Sequence, residues 1–272
     1  MKKGKTHSHG QFLDIDLISQ NSALKEVNAV LKCIVAVTIL IMVMVGNNIL
    51  FSAITASIMA FVTIKIGGVS ASTYIRLMLL PITFIVLGTA AIAISISKTE
   101  IGIINLPLFG YFLCITKYGL IEAIRVSLNA LGAVSSLYML SLSTPMYEII
   151  EVLKKCKLPQ VVIELMFLIY RYIFIMLKMQ AQMHISAESR LGYSGVRQSF
   201  FSFTHIGANL LAVSFKKAGD YYDAMVSRGY DGELIFLTEE SKITVCQSTY
   251  AIAFLTFMAI IMVTIKLKGL NM

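Results

Sequence analysis

The amino-acid sequence predicts an all-α integral membrane protein of about five to six transmembrane helices, with further amphipathic helices in a polar region. Three observations carry that prediction. Only 14% of the 272 residues are charged and 57% are hydrophobic, and the mean hydropathy is +0.79. A soluble domain has about 25% charged residues, so this chain has too little charge for a fully solvated surface. Four long runs, 33–64, 77–97, 126–147 and 243–265, contain no Asp, Glu, Lys or Arg. A helix needs about 20 mainly apolar residues to cross the hydrocarbon core. Its backbone polar groups must be satisfied internally there, which favours helices as the spanning form.

In chain order, residues 1–27 form a polar N-terminal segment. Lys2, Lys3 and Lys5 open it, but a polar stretch separates them from any apolar run, which is the wrong layout for a cleavable signal peptide. Residues 28–143 are expected to hold a transmembrane bundle of four spans, at 28–46, 49–66, 75–97 and 120–143. The first uncharged run is too long for one crossing, and Gly46-Asn47-Asn48 marks a tight turn within it. Between the third and fourth spans, 101–116 is uncharged but carries Gly102, Pro107 and Gly110. That composition disfavours a continuous helix and points to a re-entrant or interfacial hairpin. Residues 144–242 form the polar region, and 243–272 hold a last span, at 244–265, and the C-terminus.

Charge distribution orients these parts. Residues 145–246 contain 11 of the 23 Lys and Arg and 10 of the 15 Asp and Glu, whereas 33–144 carry only Lys65, Arg76, Lys98, Lys117, Arg125, Glu100 and Glu122. Lys2, Lys3, Lys5, Lys25 and Lys32 precede the first uncharged run. The positive-inside bias then places the N-terminus and 144–242 in the cytoplasm, joined by an even number of spans. The last span carries the C-terminus outside, where Lys266 and Lys268 run against that bias. The same bias accounts for the net charge of +8. Without basic clusters interleaved with aromatics, no nucleic-acid partner is expected.

The polar region reads as helices in series. Thr144-Pro145 is a start signal, with Thr as N-cap and Pro at the first helical position. Met146, Ile149, Ile150 and Leu153 share one face and Glu148, Glu151, Lys154 and Lys155 the other, an amphipathic surface helix that stops before Leu158-Pro159. A second helix spans 160–189. Its first half is apolar enough to cross, yet Glu164, Arg171 and Lys178 recur on one stripe. A charge at the bilayer centre costs about 2.5–3.5 kcal/mol, so this helix is expected to lie at the interface or against protein. A third, 209–228, has Leu211, Phe215, Ala218, Tyr222 and Met225 at helical spacing, with Lys216, Lys217, Asp220 and Asp223 opposite. Such a helix suits the membrane surface or a protein groove.

Two of these helices end alike. Ser189-Arg190-Leu191-Gly192-Tyr193-Ser194-Gly195 recurs as Ser227-Arg228-Gly229-Tyr230-Asp231-Gly232, with Ala187 and Ala224 just upstream. As a helix end, the pattern places Arg where it favours the dipole and Gly just beyond, as the left-handed residue. As a functional surface, each Arg offers five donors in a rigid fork and a permanent charge, suited to carboxylates in a groove of another protein. Small Ala and Gly neighbours permit close approach. Used twice in a polar region, the pattern suggests two equivalent docking points for a paired partner.

Other residue types point to little chemistry. Cys33, Cys114, Cys156 and Cys246 are scattered, without a Cys-x-x-Cys, and read as small buried hydrophobes. The chain contains no Gly-x-x-x-x-Gly-Lys-Ser/Thr loop, so it is not expected to hydrolyse ATP. His7 and His9 could hold a divalent metal weakly but read as incidental tail residues, and His184 and His205 as surface residues. Asp220-x-x-Asp223 could be half of a magnesium–diphosphate site, which would make the chain an intramembrane enzyme such as a prenyltransferase, but no second aspartate-rich motif accompanies it. Arg125 and Glu122 could mark a pathway through a stand-alone channel or carrier; their spacing reads first as a helical ion pair.

Several segments together resemble a known family: Asp14-x-Asp16 with Ser22-Ala23-Leu24, Leu142-Ser143-Thr144-Pro145, Leu158-Pro159 before a helix with Tyr170-Arg171-Tyr172, and Asp223-Ala224-Met225-Val226-Ser227-Arg228-Gly229-Tyr230-Asp231-Gly232. Over nearly its whole length the chain resembles the transmembrane T component of energy-coupling factor (ECF) transporters, of the CbiQ type in cobalt and nickel importers. The resemblance implies a non-enzymatic subunit of a prokaryotic cell membrane, whose cytoplasmic amphipathic coupling helices dock into two ATPase subunits. Ala224, Arg228 and Gly229 match the second docking signature. Ala187, Arg190 and Gly192 match the first, with shorter Ala–Arg spacing and an inserted Leu191. It further implies no directly bound cofactor. ATP and magnesium belong to the ATPases, and cobalt, or next nickel, to a separate membrane-embedded substrate-binding subunit. A vitamin-importing T component is the nearest alternative.

Overall fold

The structure, a computed structural model, describes residues 16, 18–20, 22–97, 104–108, 111–232 and 244–267, with the backbone alone described for 94–97, 104–108 and 111–115. The expectations for His7, His9, Lys98, Glu100 and Lys268 lie outside the described residues. Helices dominate, as expected. Six of them among the described residues are long and apolar enough to cross a membrane. The described residues fall into two compact units, 16–152 with 244–267, and 153–232.

The first unit is the bundle. Helix α1, Ala29–Gly46, is capped by Asn28, whose Oδ1 accepts from the Val30 N–H at 2.9 Å. The turn expected at Gly46-Asn47-Asn48 is present, but Asn47 rather than Gly46 takes the left-handed conformation, at φ 38°. Asn48 then caps α2, Ile49–Phe61, which runs on as a π-helical turn, Val62–Ile66. Helix α3, Ala71–Ala93, contains Pro81. Lacking an N–H, Pro81 leaves the Leu77 carbonyl without its helical donor, and the Tyr138 hydroxyl donates to that carbonyl at 3.1 Å.

The third span was expected to reach 97, but α3 stops at Ala93. Ile94–Ser97 forms strand β1, Ile104–Leu108 strand β2 and Tyr111–Ile115 strand β3, antiparallel in the order β1-β3-β2. Ile94-Ser95-Ile96-Ser97 alternates with the period of two that a strand requires, and this overrides its lack of charge as a signal. β2 and β3 form the hairpin expected in 101–116. Pro107 lies in edge strand β2, where a missing N–H is tolerated.

Helix α4, Lys117–Ser143, is capped by Thr116 and packs against α1, α2 and α3. The approach to α2 depends on Gly132, where a Cβ would lie 3.2 Å from the Ser52 carbonyl oxygen and 3.3 Å from Val43 Cγ1. Small residues let helices meet closely in a membrane, and polar side chains bond across them. Here Ser136 Oγ donates to the Ala36 carbonyl at 2.8 Å. Asn129 donates to Asn47 Oδ1 at 2.6 Å and accepts from Ser52. Arg125 and Glu122 form an ion pair within α4 at 3.0 Å. The last helix in the chain, Val245–Leu267, packs on α1 and α2. Val35, Ile39, Val43, Phe51, Met59, Met139 and Met258 form the common core. Helix α5, Met146–Lys155, starts one residue later than the Thr144-Pro145 signal, with the Pro145 carbonyl accepting from Glu148 and Ile149.

The second unit is an antiparallel helical hairpin. Helix α6, Gln160–Ser189, has the expected bounds. Helix α7, Val196–Val226, is longer than the expected 209–228. Its early Ser, Thr and Phe residues have modest helix propensity, but its pairing with α6 stabilises the additional turns. The Tyr172 hydroxyl donates to the Lys217 carbonyl at 3.2 Å, its ring lies 4.9 Å from Tyr221, and the Arg171 guanidinium sits 5.5 Å from the Tyr221 centroid. Of the charged stripe expected to hold α6 at the interface or against protein, Glu164 is buried while Arg171 and Lys178 are exposed, and α6 is also one of the six helices long enough to cross. On α7, the Lys217 backbone, Ser214 and Tyr221 meet α6, while Leu211, Phe215 and Tyr222 of the apolar stripe remain exposed. The helix completing the set, Val245–Leu267, is α8.

Candidate functional site: two matched helix ends

The repeated segments close α6 and α7 with the same hydrogen-bond pattern. At the end of α6, the Gly192 N–H reaches back to the Ala187 carbonyl at 2.9 Å and the Leu191 N–H to Glu188 at 3.0 Å. At the end of α7, the Tyr230 N–H reaches back to Met225 at 3.0 Å and the Gly229 N–H to Val226 at 3.0 Å. Both are Schellman motifs, which satisfy helix carbonyls that have no intrahelical donor. Each requires one left-handed residue: Leu191 at φ 59° in the first and Gly229 at φ 83° in the second.

This correspondence corrects the expected one. Gly192 is not the left-handed residue of its cap; Leu191 is, and it stands where Gly229 stands in the other copy. Leu191 is therefore no insertion between the Arg and its cap. Arg190 and Arg228 each immediately precede the left-handed residue, and so are geometrically equivalent. The preceding serines are equivalent too: Ser189 Oγ donates to the Ile185 carbonyl at 2.9 Å and Ser227 Oγ to Asp223 at 2.7 Å. Ala187 corresponds to Met225, not to Ala224, and the two alanines differ by one position, about 100° around the helix.

Both arginines are exposed, and among the described residues neither guanidinium has a carboxylate partner. Their surroundings differ. Beside Arg190, Ala187 and Gly192 line a cleft of about 460 Å³ between α6 and α7, with Met183, Ser202 and His205. Ser202 Oγ donates to the Gly192 carbonyl at 2.8 Å, and a Cβ on Gly192 would fall 2.6 Å from Ser202 Oγ and 2.8 Å from the Ala187 carbonyl oxygen. Gly192 is thus required by close approach and Gly229 by its backbone angle; a Cβ at Gly229 would meet nothing within 4 Å. From the sequence, Leu191 reads only as an insertion, and Ser202 is not singled out at all. The shared Ser-Arg doublet, taken as the alignment anchor, would have exposed the role of Leu191; Ser202 left no local signal.

His184 and His205 each pack against an aromatic ring. His184 stacks on Tyr193 at 4.5 Å and His205 lies 4.6 Å from Phe201. Among the described residues, no group of three or more His, Cys, Asp and Glu side chains could hold a metal ion.

The family model described as cobalt transport protein CbiQ matches residues 20–240, which include both helix ends. The chain belongs to the CbiQ cobalt transport family. A CbiQ cobalt transport protein of Rhodobacter capsulatus is 24% identical over 185 residues, covering 68% of this chain and 70% of that one. A putative fused cobalt transport protein CbiMQ of Methanocorpusculum labreanum is 29% identical over 230 residues, covering 85% of this chain and 38% of that protein. An uncharacterized protein of Methanocaldococcus jannaschii is 28% identical over 223 residues, 82% of each chain. CbiQ membership and six membrane-length helices make this a multi-pass membrane protein and a cobalt transport component rather than an enzyme.

Proposed function

We propose that the protein is the transmembrane coupling subunit of an ATP-driven, ECF-type importer of a divalent transition metal, cobalt first and nickel next. Two ATPase subunits take the ends of α6 and α7. They close on ATP and separate after hydrolysis, and the two helices pass that displacement to the membrane bundle. A separate membrane-embedded subunit binds the metal and is reoriented. This chain binds no cofactor itself; ATP and magnesium belong to the ATPases. The N-terminus and 144–242 face the cytoplasm.

The observation that carries this reading is the geometric equivalence of Arg190 and Arg228. Two exposed arginines occupy the same sequence position in caps with the same hydrogen-bond pattern, each without a carboxylate of its own among the described residues. Arg forks pair carboxylates with defined geometry, and one fork per ATPase supplies the differential contact that a two-state motor needs. The length of the fused CbiMQ relative supports a second membrane component, because a CbiQ-like stretch fills only part of that chain. The exposed stripe of Leu211, Phe215 and Tyr222 on α7 is apolar surface of the kind that marks a protein contact.

The test is purification of the tagged chain with its native partners, followed by ATPase measurement and ATP-dependent cobalt uptake in proteoliposomes. Arg190→Ala and Arg228→Ala should each weaken ATPase retention, and the double variant should abolish both retention and uptake. A double variant that keeps wild-type ATPase activity and uptake overturns the proposal.

A further inference from the structure

The bundle contains a buried cation. Lys32 closes the first turn of α1, the first membrane-length helix, and is only 4% exposed. Its ammonium donates to the Ser143 carbonyl at 3.0 Å, the Leu24 carbonyl at 3.2 Å and Glu148 Oε2 at 3.3 Å. An ammonium has three donors, and here three acceptors take them. Those acceptors sit on three different segments: the turn Ala23–Glu26 that leads into α1, the last residue of α4, and the short helix α5.

A buried charge in such a helix is costly, and an apolar side chain of similar volume would hold a bundle at least as well. What the ion pair adds is direction. Ser143 and Pro145 flank the corner between α4 and α5, and Pro145 is fully buried. Glu148 and the fully buried Ile150 fix the next turn. The stretch of the bundle unit that precedes the hairpin ends at residue 152, within α5, so α5 is the covalent link from α4 toward the helices that carry Arg190 and Arg228.

We propose that Lys32 is a positioning residue for transport: by holding α5 through Glu148 and the α4 terminus through Ser143, it makes α5 a rigid arm of the bundle. Displacement of the arginine-tipped helices then turns the α4–α5 corner instead of being absorbed in a slack linker. The inference rests on the ATP-driven transport reading and adds the joint through which motion is passed.

The experiment measures metal ions imported per ATP hydrolysed by the purified wild-type complex and by Lys32→Met, Lys32→Arg and Glu148→Gln complexes in proteoliposomes. Amounts are normalised to assembled complex. Lys32→Met should retain its ATPase subunits and hydrolyse ATP while the ions-per-ATP ratio falls at least tenfold. Glu148→Gln, which keeps shape but removes the charge, should fall in the same direction, and Lys32→Arg should keep most of the ratio. A ratio unchanged in Lys32→Met and Glu148→Gln overturns the inference. Failure of all three variants to assemble also overturns it, since the pair would then serve the fold alone. If the wild-type complex itself imports no metal on ATP addition, the transport reading has failed, and with it the basis of this step.

Discussion

Adding one methyl group at Gly192 should unfasten the end of α6. In Gly192→Ala the new Cβ would lie 2.6 Å from Ser202 Oγ and 2.8 Å from the Ala187 carbonyl oxygen, both far inside contact distance. The Ser202 hydroxyl can rotate away, but it then gives up its bond to the Gly192 carbonyl, at about 1 kcal/mol. The Ala187 oxygen belongs to the helix backbone and cannot rotate. Relief there stretches the hydrogen bond from the Gly192 N–H to the Ala187 carbonyl that closes the cap, at about 1 kcal/mol more. The sum, about 2 kcal/mol, falls within the range of about 1–3 kcal/mol for inserting a methyl into a filled site. Gly195, three residues on, is the control: its φ of −161° is ordinary extended backbone and a Cβ there meets nothing within 4 Å. Unfolding of the detergent-solubilised protein, together with hydrogen exchange over residues 185–193, reads both the global and the local cost. Gly192→Ala should be less stable than Gly195→Ala by about 2 kcal/mol, with faster exchange in the last turn of α6, and adding Ser202→Ala should cost little more, because the bond to the Gly192 carbonyl is already lost. A Gly192→Ala protein matching Gly195→Ala in both measurements refutes the packing argument.

Three further outcomes follow from backbone accounting. Leu191→Gly should stabilise the first cap and Gly229→Ala should destabilise the second, each by about 1 kcal/mol in thermal unfolding, because both positions are left-handed and only glycine adopts that region without strain. Tyr138→Phe strands the Leu77 carbonyl that Pro81 leaves open and should cost about 1 kcal/mol or more; in a Pro81→Ala background, where a helical N–H returns, the cost should shrink to a few tenths, as a double-mutant cycle measures.

What could be read from the sequence, and what could not, separates by the range of the interactions involved. The bounds of α6 follow from local chemistry: Pro159 sets the start and Ser189-Arg190 the end. The α1–α2 turn was equally visible in Gly46-Asn47-Asn48. The first thirteen residues of α7 were not, because Ser199, Phe200, Ser202, Phe203 and Thr204 have only modest helix propensity. Their helical state is supported by the hairpin with α6, a tertiary effect that includes the bond from Ser202 to Gly192. The end of α3 was missed for another reason. An uncharged run carries no marker of where helix becomes strand, and the alternation in Ile94-Ser95-Ile96-Ser97 spans too few residues to outweigh the surrounding hydrophobicity. Lys32 was counted only as a charge near the membrane, since its acceptors at 143 and 148 are brought to it by the fold.

The repeat shows most clearly how residue identity and geometry can diverge. Alignment by glycine pairs Gly192 with Gly229 and leaves Leu191 as a surplus residue. Alignment by hydrogen bonds pairs Leu191 with Gly229, and nothing is left over before the cap. The second is the physical alignment, because a Schellman cap is defined by which N–H reaches which carbonyl, and the chain will place a leucine in the left-handed region when the turn demands it, at a cost of about 1–2 kcal/mol. Gly192 is glycine for a different reason, the approach of Ser202 and of the Ala187 carbonyl. The two ends therefore present the same arginine from the same position on unlike supports, one beside a cleft and constrained by packing, the other open and constrained by its backbone angle. Substitutions at the supporting residues should affect the two ends unequally, even where substitution of the two arginines does not.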